Sequence, residues 1–366
     1  MQEFKSIIAR RLKKSTKQSD TDRCRPERSE GSDCVMRSPV IAFLGTTLRV
    51  GLLVLLLNSQ FSILNPAFAE NKSVIRPKIG LALGGGGARG AAHIGVLKVL
   101  ERENIPIDNL VGTSAGAFIA ALYSGGISPD EIEQYVLSGA MQKVYKTDFS
   151  ILRAFFLHCS KVAHVFFGKS FYAGLYNDHR LHHFVDQVIS KNDGSIELNL
   201  PLHIIAVDLI TGLPVVIKSG DVGLAVQAST AIPTLRQPIQ INDQLLVDGG
   251  VLKNTPVEEA KKMGSDLVIA IEVDAKLDQM HLKDFRTFEG VITRVISLGL
   301  KAQSEYILDK ADIVISPNLA GVGILDLDPK SLAKAIKAGE EEAEKMIPKI
   351  KKKIEQKNSA MRIAKK

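Results

Sequence analysis

The stretch Leu110-Val111-Gly112-Thr113-Ser114-Ala115-Gly116 decides the fold, because the chain changes secondary structure within it. Its apolar start favours a buried strand, and the small residues 117–124 that follow favour a helix. The two glycines allow strand and helix to approach closely, with Ser114 on the tight turn between them. The stretch therefore predicts a strand, a sharp turn that presents a serine hydroxyl, and a helix.

The same order of elements occurs earlier and later in the chain. The apolar run at 79–83 ends in a glycine run, and apolar residues at helical spacing fill 91–103. Further apolar runs predict strands at 202–207, 245–247, 267–273 and 313–315, and helices are expected near 128–131, 256–263, 290–307 and 331–347. This alternation favours an α/β fold built in layers.

Charge and cysteine content exclude several classes of protein. The net charge of the 366 residues is +7, but residues 1–69 hold 11 Lys/Arg against 6 Asp/Glu, so the remaining 36 and 34 nearly balance. A nucleic-acid-binding domain would need a basic field that the remainder lacks. Only Cys159 follows residue 70, which excludes an intramolecular disulfide or a cysteine metal site there.

The N-terminal region is expected to serve targeting. Residues 1–35 are polar without apolar periodicity and predict a disordered leader, and Met36 is an alternative translation start. Residues 36–69 match a signal peptide cleaved after Ala69, which predicts a secreted or periplasmic protein. The alternative is an uncleaved membrane anchor at 40–64 that tolerates Arg49.

Two short motifs place reactive groups after predicted strands. Gly112-x-Ser114-x-Gly116 has the pattern of a nucleophile elbow, although a pattern this short also arises by chance. Asp248-Gly249-Gly250 places a carboxylate after an apolar strand, where an ordinary turn aspartate is the alternative.

The glycine run at 84–90 allows two interpretations. Gly85, Gly87 and Gly90 fit G-x-G-x-x-G, but Asp108, the acid at the right distance for a dinucleotide site, stands before the second predicted strand instead of at its end. There is also no Lys-Ser/Thr pair for a P-loop. We favour an oxyanion hole formed by backbone amides of Gly85, Gly86, Gly87 and Ala88. The neighbouring Arg89 is either a contact for a lipid head group or a solvated side chain.

The ordered set of the glycine run, the serine elbow and Asp248-Gly249-Gly250 resembles bacterial members of the patatin-like phospholipase family. Ala206-Val207-Asp208-Leu209, Ala231-Ile232-Pro233 and Asn254-Thr255-Pro256-Val257 also look like that family. The resemblance implies a three-layer α/β/α domain, placed at 79–275, with a mostly parallel central sheet. Residues 276–366 are expected to form a helical extension with a basic tail, which departs from the family pattern. The resemblance also implies Ser114 as nucleophile, Asp248 as general base, Gly86 and Gly87 as oxyanion donors, and no cofactor.

A segment rich in aromatic residues lies between serine and aspartate. Residues 145–184 contain 10 of the 20 Phe and Tyr, which predicts either an acyl channel with a membrane-facing surface or additional core. Five histidines lie there too, at 158, 164, 179, 182 and 183. We expect no metal site, because no carboxylate pattern at ligand spacing accompanies them. A catalytic triad is the alternative, because His281 follows Asp248 along the chain as the histidine follows the acid in α/β-hydrolases. The residues around His281 are polar, however, and resemble a surface loop.

The sequence thus predicts a serine acyl hydrolase that acts on phospholipids or lysophospholipids through a Ser-Asp dyad at a membrane surface. Nucleic acid and nucleotide are not expected partners. The alternatives are a carboxylesterase or acyltransferase on other acyl esters, and a noncatalytic lipid-binding protein with the same fold.

Overall fold

A computed structural model describes the chain at residues 76–139, 142, 179–191, 194–233, 235–274 and 281–364. The predicted leader, the predicted signal or anchor and most of the aromatic-rich segment lie outside these residues. Among the residues described, no helix combines the length and the apolar character needed to cross a membrane.

The centre of the described structure is an eight-stranded sheet. Its strands in chain order are β1 (Ile79–Leu83), β2 (Asn109–Thr113), β3 (Leu202–Asp208), β4 (Leu213–Ile217), β5 (Ile239–Ile241), β6 (Gln244–Asp248), β7 (Leu267–Ile271) and β8 (Ile313–Ile315). Hydrogen bonds connect them in the order β5-β6-β3-β2-β1-β7-β8, with β4 also paired to β3. The pairs β1-β2, β1-β7, β2-β3 and β7-β8 are parallel, and β4, β5 and β6 join antiparallel.

Helices cover both faces of this sheet. In the described residues they are α1 (Ala92–Arg102), α2 (Ala115–Ser124), α3 (Pro129–Leu137), α4 (His179–Ile189), α5 (Val222–Ser229), α6 (Val257–Lys262), α7 (Phe288–Leu308) and α8 (Pro329–Ala364). Leu81 and Leu83 of β1 pack in the core cluster with α1, α2, α3, α4 and α8, whereas Ala82 belongs to a second cluster with α6. Because successive strand residues point to opposite faces, the two clusters are two separate helical layers. The predicted three-layer α/β/α fold with a mostly parallel sheet is confirmed.

One edge of β3 is shared by two strands. Residues 204–208 of β3 pair with β4, so β2, which pairs with 202–205, and β6, which pairs with 206–208, both occupy the opposite edge. β2 ends at Thr113 opposite Ile205, and β6 ends at Asp248 opposite Ala206. The two strands therefore end next to each other at adjacent positions of β3.

The C-terminal region is part of the same layers. β8 extends the sheet beside β7, and α8 contributes Ile336, Ile347 and Ile350 to the core cluster that contains α1. Pro348 lies inside α8, which continues to Ala364. Burial of Ile347 and Ile350 on either side of the proline stabilises the helix where a backbone donor is missing. The domain boundary at residue 275 stays a prediction.

Candidate active site

The turn at Ser114 has the strained geometry of a nucleophile elbow. Ser114 lies between β2 and α2 with φ 51° and ψ −120°, a backbone conformation that residues other than glycine rarely adopt. A Cβ on Gly116 would lie 2.2 Å from the Leu83 carbonyl oxygen, and one on Gly112 would lie 2.5 Å from Ala117 Cα. Both glycines are thus required for the close approach of helix and strands.

Neighbouring elements hold this turn in place. The Ser114 amide donates to Ser229 Oγ at 2.8 Å, and that hydroxyl in turn donates to the Ile205 carbonyl at 2.6 Å. Gly90 lies close to Ala115, where an added Cβ would be 2.4 Å from the alanine Cβ, and Gly249 lies equally close to the Ile205 carbonyl. The turn is therefore fixed by β3, α5 and both glycine-containing loops.

The structure brings Ser114 and Asp248 into direct contact. Ser114 Oγ donates to Asp248 Oδ2 at 2.6 Å, and Asp248 Oδ1 accepts from the Gly250 amide at 2.8 Å. The two residues are only 7% and 6% exposed. The adjacent ends of β2 and β6 explain this contact between residues 134 positions apart.

Burial changes the acidity of Asp248. Loss of hydration raises the pKa of its carboxyl from 3.8 to about 6, while the hydrogen bonds from Ser114 and Gly250 and the charge of Arg236 act in the opposite direction. A carboxylate with this pKa is ionised at neutral pH and is a stronger base than an exposed aspartate.

No histidine within the described ranges contacts Ser114 or Asp248. His93 is fully buried and its Nε2–H donates to the Gly84 carbonyl at 2.8 Å, and burial lowers the pKa of its ring to about 4. His203 lies on β3, where burial also lowers its pKa, and His281 is exposed. The described part of the chain thus shows a Ser-Asp contact without a histidine between the two residues.

Two of the four predicted oxyanion donors have other acceptors. The Gly85 amide donates to Asn254 Oδ1 at 3.1 Å, and the Ala88 amide donates to the Ile324 carbonyl at 2.7 Å. The prediction is wrong for these two residues, because an amide held by a carbonyl in the fold is not directed at a substrate. Within the described structure, the amides of Gly86 and Gly87 make no hydrogen bond to protein, and both residues line a cavity with Ser114.

Arg89 does not line either cavity at Ser114. Its Nε donates to the Val322 carbonyl at 2.7 Å, which attaches the glycine loop to the segment before α8. Arg236, which the sequence did not indicate, is 8% exposed and lines the cavity beside Ser114. The cation next to this cavity is therefore a different arginine from the one predicted.

Asn254 and Gln303 are supporting residues that the motifs did not identify as functional. Asn254 exchanges two hydrogen bonds with the backbone of Gly85, at 3.1 and 3.2 Å, and thereby orients the glycine loop. The side chain of Gln303 on α7 accepts a hydrogen bond from the backbone N–H of Asn254 and donates to the backbone carbonyls of Gly250 and Val251. Together these two side chains connect the glycine loop, the Asp248 loop and α7.

Two mainly apolar cavities meet at Ser114. One, of about 270 Å³, lies among α2, α3 and the start of α8, with Phe118, Ile119, Val136 and Leu332 in its wall. The other, of about 320 Å³, lies against α7, with Ile292, Val295, Ile296 and Leu300 in its wall. Both also contact Gly87, Ile232 and Ile324. The serine hydroxyl thus lies where two apolar spaces come together, as a bulky apolar ligand would require.

Because the pKa of Asp248 is raised, we expect its ionisation to lower the free energy of unfolding of the protein above pH 6. Because its pKa is higher in the folded state, the folded chain binds a proton more tightly, and stability falls by about 3 kcal/mol as pH rises from about 4 to 6. Asp248→Asn keeps an oxygen acceptor for Ser114 but cannot ionise. Thermal unfolding at pH 7.5 should show the variant more stable than wild type by several degrees, with the difference shrinking towards pH 4.5.

Asp208→Asn is the matched control for this prediction. Burial opposes ionisation of Asp208, but hydrogen bonds from the Leu245 amide and from Thr211 outweigh it and lower the pKa of this carboxyl. The control should therefore be less stable than wild type at pH 7.5. Lower stability of Asp248→Asn at pH 7.5 would contradict the proposed cost of ionising Asp248.

This chain is similar to several known proteins. Residues 81–261 match the family model described as patatin-like phospholipase. The patatin-like phospholipase domain-containing protein 6 of Mus musculus is 35% identical over 209 residues, which are 57% of this chain and 14% of that protein. Lysophospholipase NTE1 of Candida glabrata is 31% identical over 208 residues, 56% of this chain and 11% of that protein. This chain thus spans a small part of these curated relatives.

The solved structure of VipD from Legionella pneumophila is also similar. It has a TM-score of 0.42 and 15% sequence identity, and the match covers 75% of this chain and 67% of that one. Through its residues 81–261, the chain belongs to the patatin-like phospholipase family.

Proposed function

We propose that this protein is a serine acyl hydrolase that cleaves fatty-acyl esters of phospholipids or lysophospholipids. One observation carries the proposal: Ser114 Oγ lies 2.6 Å from a buried carboxylate, in a cavity that the amides of Gly86 and Gly87 also line. Neither amide has a protein acceptor among the described residues. Nucleophile, base and oxyanion donors are the three groups that acyl transfer requires.

In the proposed first half-reaction, Asp248 Oδ2 accepts the Ser114 hydroxyl proton while Oγ attacks the ester carbonyl carbon. The negative charge on the carbonyl oxygen is stabilised by the amides of Gly86 and Gly87. Collapse of the tetrahedral intermediate breaks the ester bond, and Asp248 returns the proton to the leaving alcohol. The products of this step are an acyl-serine and the free alcohol.

In the second half-reaction, Asp248 accepts a proton from water, and the resulting hydroxide attacks the acyl-serine. Collapse releases the fatty acid and restores the Ser114 hydroxyl with the proton from Asp248. The raised pKa of Asp248 lies nearer to neutral pH than that of an exposed carboxyl. It therefore favours both the acceptance of a proton by Asp248 and the return of that proton.

The cavity walls support an acyl ester with long apolar parts. The two cavities contact the serine from different sides, so one can hold the acyl chain and the other the remaining apolar part of the substrate. Arg236 lines the first cavity and is the cation we propose for contact with a phosphate or the ester head group, in place of Arg89.

Variants at the two proposed catalytic residues test the function. Ser114→Ala and Asp248→Asn should each reduce kcat on a soluble p-nitrophenyl ester by a thousandfold or more, and the double variant should lose little further activity, because the residues act as a unit. Release of fatty acid from phospholipid vesicles, measured by mass spectrometry, should fall in parallel.

His203→Gln is the matched control, since His203 lies on the neighbouring strand without contacting the dyad. Its kcat should stay within about tenfold of wild type, roughly 1.4 kcal/mol of transition-state stabilisation. An Asp248→Asn variant that is folded and retains wild-type kcat would refute the mechanism. No hydrolysis by wild type, together with a biological effect that Ser114→Ala leaves intact, would favour the lipid-binding alternative.

Export remains a proposal that rests on the sequence of residues 36–69. We propose cleavage after Ala69, which yields a chain that begins at Glu70 in the periplasm or outside the cell. N-terminal sequencing of the protein recovered from the cell envelope tests this. An intact N-terminus in the membrane fraction would support the anchor at 40–64.

A further inference from the structure

Three potential metal ligands meet between α4 and α5. His182 and Asp186 lie one helical turn apart on α4, and Asp221 is the N-cap residue of α5. His182 Nε2 lies 2.9 Å from Asp186 Oδ2 and 2.9 Å from Asp221 Oδ2. One ligand atom from each of the three residues lies within 4.8 Å of the others.

Backbone amides orient both carboxylates. Asp186 Oδ1 accepts from the Gly223 amide at 3.0 Å, and Asp221 Oδ1 accepts from the Leu224 amide at 2.7 Å. Each carboxylate therefore has one oxygen fixed by the first turn of α5 and its other oxygen directed at the imidazole. Ligands held in this way by surrounding hydrogen bonds are typical of metal centres.

A single proton does not satisfy this arrangement. One Nε2–H points towards one oxygen at a time, yet two carboxylate oxygens lie at the same 2.9 Å from this nitrogen. Within the described residues, neither carboxylate forms an ion pair with Lys or Arg. Two carboxylates thus face one imidazole, and the site is short of positive charge.

A divalent cation would supply that charge. Two adjacent ligands at about 2.1 Å from one ion lie about 3.0 Å apart in octahedral geometry and somewhat farther apart in tetrahedral geometry. The two N···O distances of 2.9 Å thus match ligands of a shared ion after small adjustments. The side chains are 19%, 25% and 44% exposed, which leaves room for an ion to enter and for water to complete its coordination.

We propose that His182, Asp186 and Asp221 bind a first-row divalent transition metal ion such as Zn²⁺, which fastens α4 to α5. The imidazole nitrogen favours such an ion over Mg²⁺ or Ca²⁺, which prefer oxygen ligands throughout. The proposal departs from the expectation from the sequence. Asp186 stands four residues after His182, and the third ligand comes from 35 residues further along the chain.

The role of the ion is structural. α5 begins beside the proposed site and ends at Ser229, whose hydroxyl oxygen accepts a hydrogen bond from the Ser114 amide. The helix has eight residues, so the ion lies roughly one helix length, about 12 Å, from that contact and has no part in the acyl-transfer steps. Zinc should therefore raise the thermal stability of the protein without being required for ester hydrolysis.

Zinc binding by the full-length protein tests the proposal. After treatment with EDTA and removal of the chelator, Zn²⁺ at about a hundred times its dissociation constant should raise the Tm of wild type by about 5 °C. His182→Gln and Asp221→Asn should abolish that rise, and Asp221→Asn keeps an oxygen that can cap α5. His183→Gln is the matched control, because its ring stacks on His182 but is not one of the three ligands, and it should retain the rise.

Metal content gives a second readout that does not depend on unfolding. Wild type dialysed against Zn²⁺ should retain one more equivalent per chain than His182→Gln, and Co²⁺ bound by wild type should show d–d absorption. No zinc-dependent rise in Tm in wild type would overturn the proposal and leave an ion pair of His182 with the two aspartates. A rise that persists in His182→Gln would also overturn it by placing the zinc elsewhere.

Hydrolysis of the soluble ester separates this proposal from the proposed function. Zinc binding without any esterase activity would refute the hydrolase and leave the metal site standing. Esterase activity that EDTA leaves unchanged, in a protein that zinc does not stabilise, would refute the metal site alone.

Discussion

The candidate site depends on the way in which β2 and β6 share one edge of β3. β2 runs parallel to β3 and leaves the sheet at Ser114, and β6 enters antiparallel and reaches the same place from the opposite direction. A residue at the end of each strand therefore meets the other without a long loop between them. The 2.6 Å contact of Ser114 with Asp248 follows from strand pairing, which is more rigid than two mobile loops would be.

This construction requires that a carboxylate be buried beside a strained serine. The left-handed backbone of Ser114 and the burial of Asp248 are both unfavourable, and the surrounding contacts must offset them. The side chains of Ser229, Asn254 and Gln303 form hydrogen bonds with the backbone around the dyad, and the Gly250 amide donates to the Asp248 carboxylate. The ionised Asp248 therefore lowers the stability of the protein at neutral pH, and it provides a base in direct contact with the serine hydroxyl.

Much of this arrangement could be predicted from short patterns. Ser114 and Asp248 each follow an apolar strand within a few residues, so local sequence reveals both their type and their place at a strand end. The resemblance to a family then supplied the pairing, which spacing alone does not give. The oxyanion donors were predicted too broadly, because only the fold shows that the amides of Gly85 and Ala88 are held by Asn254 and Ile324.

Other residues gave no local signal. Gln303 lies 53 positions from Gly250 on an amphipathic helix, where a polar residue is unremarkable until the helix is packed. Arg236 and the pairing of His182 with Asp221 likewise depend on contacts between elements. The strand β4 is apolar, but it contains Pro214 and is partly exposed where it pairs with β3, so its burial differs from that of the central strands.

Covalent labelling of the serine tests whether Asp248 activates Ser114 directly. The rate at which a fluorophosphonate modifies the protein can be followed by intact mass at a series of pH values, with the modified residue located by peptide mapping. We expect modification at Ser114, with a rate that rises with pH around a midpoint near 6 and falls by orders of magnitude in Asp248→Asn. Labelling of Ser114 at the wild-type rate in that variant, together with loss of labelling on replacement of any one histidine, would contradict direct activation by Asp248.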